Sequence, residues 1–278
     1  MKIQTFAGIG FIEEHGTHYP SLTGAKNEVL GTILHSTTHP APIEPLMERL
    51  WPESSSQQAK SSLNTVIWRL NSLLKKVLPN SGVAINNDRD RVKINWRDQN
   101  PEFDFENLKR VVHGYEQKAL SKSSLNNAEL IELVRAIEFY RGDFIPNLDS
   151  HWATIARERY RSIFIRGCQL AVQSFAEQSR FDRAISFAAK ILVENPFREN
   201  TRQQLIWLYV MNGQRIEAYR LYQETCQMLR EELGVDPMPE TQALLNLIKD
   251  GKTAPVLNFK NIHSERHKLL EALFCPSN

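Results

Sequence analysis

The sequence predicts a mostly α-helical protein in two parts. A small mixed part with short β-strands comes first, followed by an all-α part built from repeats. Three observations carry this. Gln57–Leu78 is an unbroken helical pattern with one apolar and one polar face. Short alternating runs broken by glycine or turn residues occur only ahead of residue 100. Beyond it, apolar residues recur at helical spacing, and pairs of similar residues stand 34 apart. A chain of 278 residues is also too long for one small core and suits two domains.

Residues 2–22 alternate weakly and are punctuated by Gly8, Gly10, Gly16 and Pro20, which predicts two or three short strands with tight turns. Thr23 is placed to N-cap a first helix whose buried face is Val29, Leu30, Ile33 and Leu34. His39-Pro40-Ala41-Pro42 reads as a loop. Ile43, Leu46, Met47, Leu50 and Trp51 make a short second helix that Pro52 helps to stop. Glu53–Ser56 is a polar turn into Gln57–Leu78. On that third helix Leu63, Val66, Ile67, Leu70, Leu73, Leu74 and Val77 share one side, while Ser61, Asn64, Thr65, Trp68, Arg69, Ser72 and Lys75 share the other. Two segments follow, Val83–Ile85 and Val92–Ile94, separated by Asn86–Arg91, whose Asn-Asn-Asp cluster is hairpin-turn chemistry. Two helices, a loop, a third helix and a basic hairpin make a winged helix-turn-helix order.

From Asn100 no further strand signal is present. Phe105, Leu108, Val111, Val112 and Tyr115 form one helical stripe, and Leu130, Leu133, Val134, Ile137 and Tyr140 another. Tyr140–Pro146 breaks the pattern, and a long helix runs from about Trp152 into the 170s. The pairs Ala171/Leu205, Phe175/Tyr209, Ala184/Ala218 and Phe187/Leu221 are each 34 residues apart, the tetratricopeptide period, with Pro196 and Gly213 at turn positions. Such helix pairs hide their apolar faces only by stacking on neighbours.

Charge is distributed unevenly although the net is only +2. Gln57–Arg97 carries eight cations against two acids, whereas Met1–Ser56 carries three against six. The third helix contains no acid at all; its polar face holds amides, hydroxyls, cations and one indole, the groups that meet phosphates and base edges. Among these, Lys60 and Arg69 suit phosphate. Asn64 and Thr65 are the candidates for base readout, because an amide can bond an adenine edge bidentately. Ser61 and Ser72 lie on the same face, and Arg89 and Arg91 stand at the hairpin. Trp68 has two readings: packing on a sugar or thymine methyl, or folding back onto its own protein or a second protomer.

Residues 2–97 resemble the winged-helix domain of the OmpR/PhoB type, on the segment LMERLWPESSSQQAKSSLNTVIWRLNSLL. That segment is similar to the variant that opens SARP-type transcriptional activators: Leu50-Trp51 closes the second helix, and Leu63, Ile67, Arg69 and Leu70 match the recognition-helix pattern. The hairpin departs from the family, reading Asp90-Arg91-Val92 where members usually carry a Gly-Tyr pair. Farther on, Tyr140-Arg141-Gly142-Asp143-Phe144, then Trp152 and Arg159, then Glu231–Pro237 followed by Pro239-Glu240-Thr241, resemble the bacterial transcriptional activator domain. The resemblance covers about residues 2–250. It implies a winged helix over 1–98, an activator domain of tetratricopeptide-like repeats over 99–250, and a tail over 251–278. It also implies a promoter-binding regulator that sits on direct repeats of double-stranded DNA as a homodimer and contacts RNA polymerase.

Other function classes find little in the sequence. There is no nucleophile elbow, dinucleotide fingerprint or complete phosphate loop, so neither an enzyme nor a cofactor is expected. Gly251-Lys252-Thr253 lacks the earlier glycine, and Asp88 and Asp90 lack the rest of a calcium loop. Cys168, Cys226 and Cys275 give neither metal spacing nor a disulfide framework, His263 and His267 lack a third ligand, and no metal site is expected. The start meets Glu13-Glu14 too soon for a signal peptide, and no apolar run is long enough to span a bilayer, so a cytoplasmic protein without membrane partners is expected. The competing expectation is a helical-repeat interaction scaffold whose winged helix is a degenerate docking module.

Overall fold

A computed structural model of the chain describes residues 1–13, 16–36, 40–79, 81–88, 90–96, 101–121 and 124–250. The chain divides into two compact units, Met1–Gly114 with Glu132–Phe164, and Tyr115–Ile131 with Ile165–Asn278.

In the first unit β1 (Lys2–Gln4), β2 (Gly10–Glu13) and β3 (Gly16–His18) form an antiparallel meander, the three strands expected from the glycine spacing. Helix α1 (Ala25–His35) buries Val29, Leu30, Ile33 and Leu34 as expected. Its N-cap, however, is Gly24 rather than Thr23, and no side chain caps it. At φ 52° the chain turns so that the Gly24 carbonyl itself accepts from the Asn27 and Glu28 amides. Ala41–Pro42, expected in a loop, is a short strand, β4, because Ala41 pairs with Val92; His39 lies outside the described residues. Helix α2 (Ile43–Leu50) ends at Trp51, and α3 (Ser56–Val77) follows, with Leu63, Val66, Ile67, Leu70 and Leu74 buried against neighbours that include α1 and α2.

The hairpin after α3 is longer than the sequence pattern implied. β5 (Ala84–Asp88) and β6 (Arg91–Asn95) pair antiparallel over five residues, so Asn86, Asn87 and Asp88 belong to the ladder, opposite Lys93, Val92 and Arg91. Only positions 89 and 90 remain between the strands. Turn propensity misplaced these asparagines because alternation across the ladder, with Ile85 and Val92 buried, decides the register.

A strand also follows Asn100, contrary to expectation. β7 (Glu102–Phe103) adds parallel to β1, giving the order β3-β2-β1-β7. Two residues carry no period, so pattern could not reveal it. Asp104 then opens α4 (Asp104–Leu120) and is only 5% exposed. Its carboxylate accepts from the Thr5 amide at 2.7 Å, the Phe6 amide at 3.0 Å, the Thr5 hydroxyl at 2.5 Å and the Phe105 amide at 2.8 Å. Burial raises its pKa against the pull of these donors.

The Tyr140–Pro146 break lies between α5 (Asn127–Glu138) and α6 (His151–Glu177). It runs beside the end of β1: the Ala7 amide donates to Asp143 and the Ile145 amide to Thr5, both at 2.9 Å. Gly142 supplies the backbone angle this approach needs, φ 148°, which L side chains rarely adopt; a Cβ there would meet Ala7 only at an ordinary 3.6 Å. Phe6, Phe105, Tyr140, Phe144 and Tyr160 pack there as one aromatic cluster, with ring centroids 4.8 to 6.4 Å apart. Residues on both sides of the composition change at 98–99 therefore share this core.

In the second unit the late part of α6, α7 (Phe181–Glu194), α8 (Glu199–Met211) and α9 (Arg215–Glu232) form the two helix pairs that the 34-residue spacing predicted. The repeat holds down to the turns. Gly213 takes a left-handed φ of 76° and Ser179, its counterpart, takes 56°. The amides of Gln214 and Arg180 reach the carbonyls of Tyr209 and Phe175, both at 2.8 Å. Helix α10 (Pro239–Asp250) closes the stack: Glu199 accepts from the Met238 amide at 2.8 Å and the Thr241 hydroxyl at 2.5 Å, and Arg215 donates to the Ile248 and Lys249 carbonyls. That assigns a capping role to Pro239-Glu240-Thr241. The tail with Gly251-Lys252-Thr253, His263 and His267 lies outside the described residues.

Candidate nucleic-acid interface

Helix α3 starts with a capping box. Ser55 Oγ accepts from the Gln58 amide at 3.4 Å while Gln58 Oε1 accepts from the Ser55 amide at 3.1 Å. A glutamine in that box caps without adding an acid, so the first turn keeps its positive end uncompensated. Lys75 and Lys76 sit in the last turn, where cations favour the carbonyl end of the helix dipole.

Lys60, Ser61, Asn64, Thr65, Trp68 and Arg69 are all exposed on one face, and Ser72 is half-buried at its edge. Among the described residues, no acid pairs with Lys60 or Arg69. The polar groups on this face are not equally available. The Thr65 hydroxyl donates to the Ser61 carbonyl and the Ser72 hydroxyl to the Trp68 carbonyl, each at 3.0 Å, which leaves both as acceptors outward. Asn64 Oδ1 accepts from Asn87 Nδ2 at 3.0 Å, leaving its own amide nitrogen as the open donor. Trp68 is 69% exposed, so its indole does not fold back onto its own protein.

The hairpin is fixed to this helix by a residue the sequence analysis did not single out. Asn71 donates to the Ile85 carbonyl at 2.8 Å and accepts from the Ile85 amide at 2.7 Å, replacing a ladder partner for β5. An asparagine at the edge of the apolar stripe, between Leu70 and Leu74, was the available signal. With Asn64–Asn87 one helical span away, two amide contacts hold hairpin and helix as one surface. Arg91 is exposed at the start of β6 and donates to the Pro40 carbonyl at 3.4 Å; Arg89 lies outside the described residues.

Among the described residues, no three His, Cys, Asp or Glu side chains could hold a metal ion, and no helix is long and apolar enough to cross a membrane. The buried Cys168 thiol is pushed up to about 12 by desolvation, the opposite of what a nucleophile needs.

Residues 103–249 match the family model of the bacterial transcriptional activator domain, more than half of the chain. The chain belongs to that family. Its relatives include the regulatory protein AfsR of Streptomyces coelicolor, 25% identical over 202 residues that make up 72% of this chain but 19% of that much longer protein. The transcriptional regulatory protein MoaR1 of Mycobacterium tuberculosis is 26% identical over 84% of this chain and 74% of its own length. EmbR of Mycobacterium tuberculosis, also named a transcriptional regulatory protein, is 22% identical over 82% of this chain and 58% of its own. The solved structure of EmbR in complex with a low affinity phosphopeptide superposes with a TM-score of 0.68 at 18% identity, covering 97% of this chain and 70% of that one. The fold is thus a winged helix followed by a helical domain, and the resemblance drawn from Leu50-Trp51, Tyr140–Phe144 and Glu231–Pro237 holds. The chain is a relative of SARP-type regulators, and it spans about a fifth of the length of AfsR.

Proposed function

We propose that this regulator binds promoter DNA directly, laying the exposed face of α3 in the major groove with the hairpin on the adjacent backbone. The observation that carries this is an acid-free exposed face, with Lys60 and Arg69 unpaired among the described residues, joined to the hairpin through Asn71 and Asn64. Arg69 and Lys60 contact phosphate; Ser61, Asn64, Thr65 and Trp68 face the bases; Ser72, Arg89 and Arg91 contact the flanking backbone. In this reading residues 1–98 supply DNA contact and 99–250 the activator function. Two protomers occupy tandem direct repeats in the cytoplasm and present the helical-repeat region to RNA polymerase.

Gel-shift of the protein against fragments of its own genome tests the proposal. Retained fragments should share a direct repeat, and affinity should fall steeply with salt because several phosphates release counterions. Arg69→Ala should weaken binding roughly tenfold, the scale of one lost contact, with thermal stability near wild type. Retention of no fragment at any salt overturns the proposal and leaves the scaffold function in its place. Unchanged affinity of Arg69→Ala overturns the placement of α3.

A further inference from the structure

The first unit contains a half-open cavity of about 320 Å³ between the end of α1, the body of α2 and the first turns of α6. Its volume falls within the range of small-molecule sites, about 300 to 1,000 Å³. Leu46, Trp152 and Ile155 give it an apolar wall, and His35, Arg49 and Arg159 supply the polar groups. The function proposed above uses none of these residues.

The charges around the cavity have one sign in excess. Arg49 is already satisfied: it pairs with Glu28 at 2.6 Å, donates to Thr32 at 3.1 Å and stacks 5.9 Å above the Trp152 ring. Glu28 in turn accepts from the Trp152 indole at 2.7 Å, so this wall is rigid and electrically balanced. Arg159 is exposed at the cavity, and among the described residues no acid pairs with it. Behind it, the His35 ring sits 5.2 Å from Trp152 and 5.5 Å from Phe144. Burial first, then Arg159 and Lys109, holds that imidazole below its usual pKa. An apolar wall facing an uncompensated guanidinium is the arrangement that retains a molecule with a greasy body and a negative head.

We propose that this cavity binds a small amphipathic anion, its aromatic or acyl body lying on Leu46, Trp152 and Ile155 and its carboxylate or sulfonate meeting Arg159. Because α2 also packs against α3, the ligand touches an element that supports the exposed face described above. The inference stands independently of DNA binding.

The test uses the full chain and two fluorescent probes of similar body, the anion 8-anilinonaphthalene-1-sulfonate and the neutral N-phenyl-1-naphthylamine, with calorimetry for stoichiometry. Arg159→Gln and Ile155→Glu alter exposed positions, Ile155 being 49% exposed, so the melting temperature should hold. The expected result is one saturable site for the anion, weakened about fivefold or more by Arg159→Gln and restored by Arg159→Lys. Ile155→Glu should abolish it, and the neutral probe should be indifferent to Arg159→Gln. Absence of saturable binding overturns the site. Equal loss of both probes, or an anion affinity untouched by Arg159→Gln, overturns the assignment of an anionic ligand. A variant that melts early is replaced by Arg159→Ala or Ile155→Ser on the folded protein, where weakened anion binding supports the proposal and undiminished binding refutes it.

Discussion

Asp104 offers the most quantitative test of how the chain is held together. Its carboxylate takes four donors, from the Thr5, Phe6 and Phe105 amides and the Thr5 hydroxyl, and all three partner residues are buried. Asp104→Ala removes every acceptor and leaves three buried main-chain N–H groups without partners. Each orphaned buried donor costs about 1–3 kcal/mol. Partial relaxation and water entry make the sum less than additive, and about 3–5 kcal/mol is the expected loss, the range seen when one partner of a buried charged contact is removed. Asp104→Asn keeps one oxygen for Thr5 and Phe6 but turns an N–H toward the Phe105 amide, so about 1–3 kcal/mol should be lost. Urea unfolding followed by tryptophan fluorescence is a suitable assay, because Trp51, Trp68, Trp96 and Trp152 lie in the first unit and only Trp207 in the second. The order wild type, Asp104→Asn, Asp104→Ala should hold in the midpoint of the first unit's transition at constant slope. An Asp104→Ala midpoint corresponding to less than about 1 kcal/mol would refute the claim that this carboxylate joins β1 to α4.

Three further outcomes are expected. Asn71→Ala strips the buried Ile85 of both main-chain partners, so hydrogen exchange in β5 should accelerate by about tenfold or more, with DNA affinity falling alongside; protection equal to wild type counts against the hairpin anchor. If Trp68 covers a thymine methyl, replacing operator thymines by deoxyuridine should weaken wild type by about fourfold, the worth of about 0.8 kcal/mol, and leave Trp68→Ala unaffected; equal losses in both proteins place the indole elsewhere. For His35, held below its usual pKa of 6.5 by burial and then by Arg159 and Lys109, the unfolded chain takes up the proton first as pH falls. The stability present above pH 6.5 should therefore be lost progressively below it, and His35→Phe, which keeps the ring and cannot titrate, should melt with a flatter pH profile; parallel profiles from pH 8 to 5 exclude His35 as the cause.

How much of this was legible beforehand varies with how far a signal extends along the chain. Helices α1, α2 and α3 and the 34-residue repeat were legible because burial recurs every three to four residues, over about six turns in α3 and over about two to three turns bounded by Gly or Pro in α1 and α2. The register of β5 and β6 was not, since Asn86 to Asp88 suit a turn as well as a strand and only the burial of Ile85 and Val92 decides between them. β7, two residues long, had no pattern to read. The exposed face of α3 was named residue by residue, but which of its groups remain open was not. Hydroxyls returning to helix carbonyls and the Asn64–Asn87 contact depend on rotamers and on a hairpin 23 residues away.

The sequence by itself determined the family, the order of helices and strands around α3, and the absence of acid from that helix. These follow from residue type and local period, which the linear chain carries. Tertiary structure decided that Asp104 and Tyr140–Ile145 join the amino-terminal strands in one core, that Asn71 anchors the hairpin, and that His35, Trp152 and Arg159 line one cavity. Each of these depends on contacts between residues 14 to about 140 positions apart. At such separations the energy comes from burial and donor–acceptor pairing in space, and no periodicity records which partners will meet.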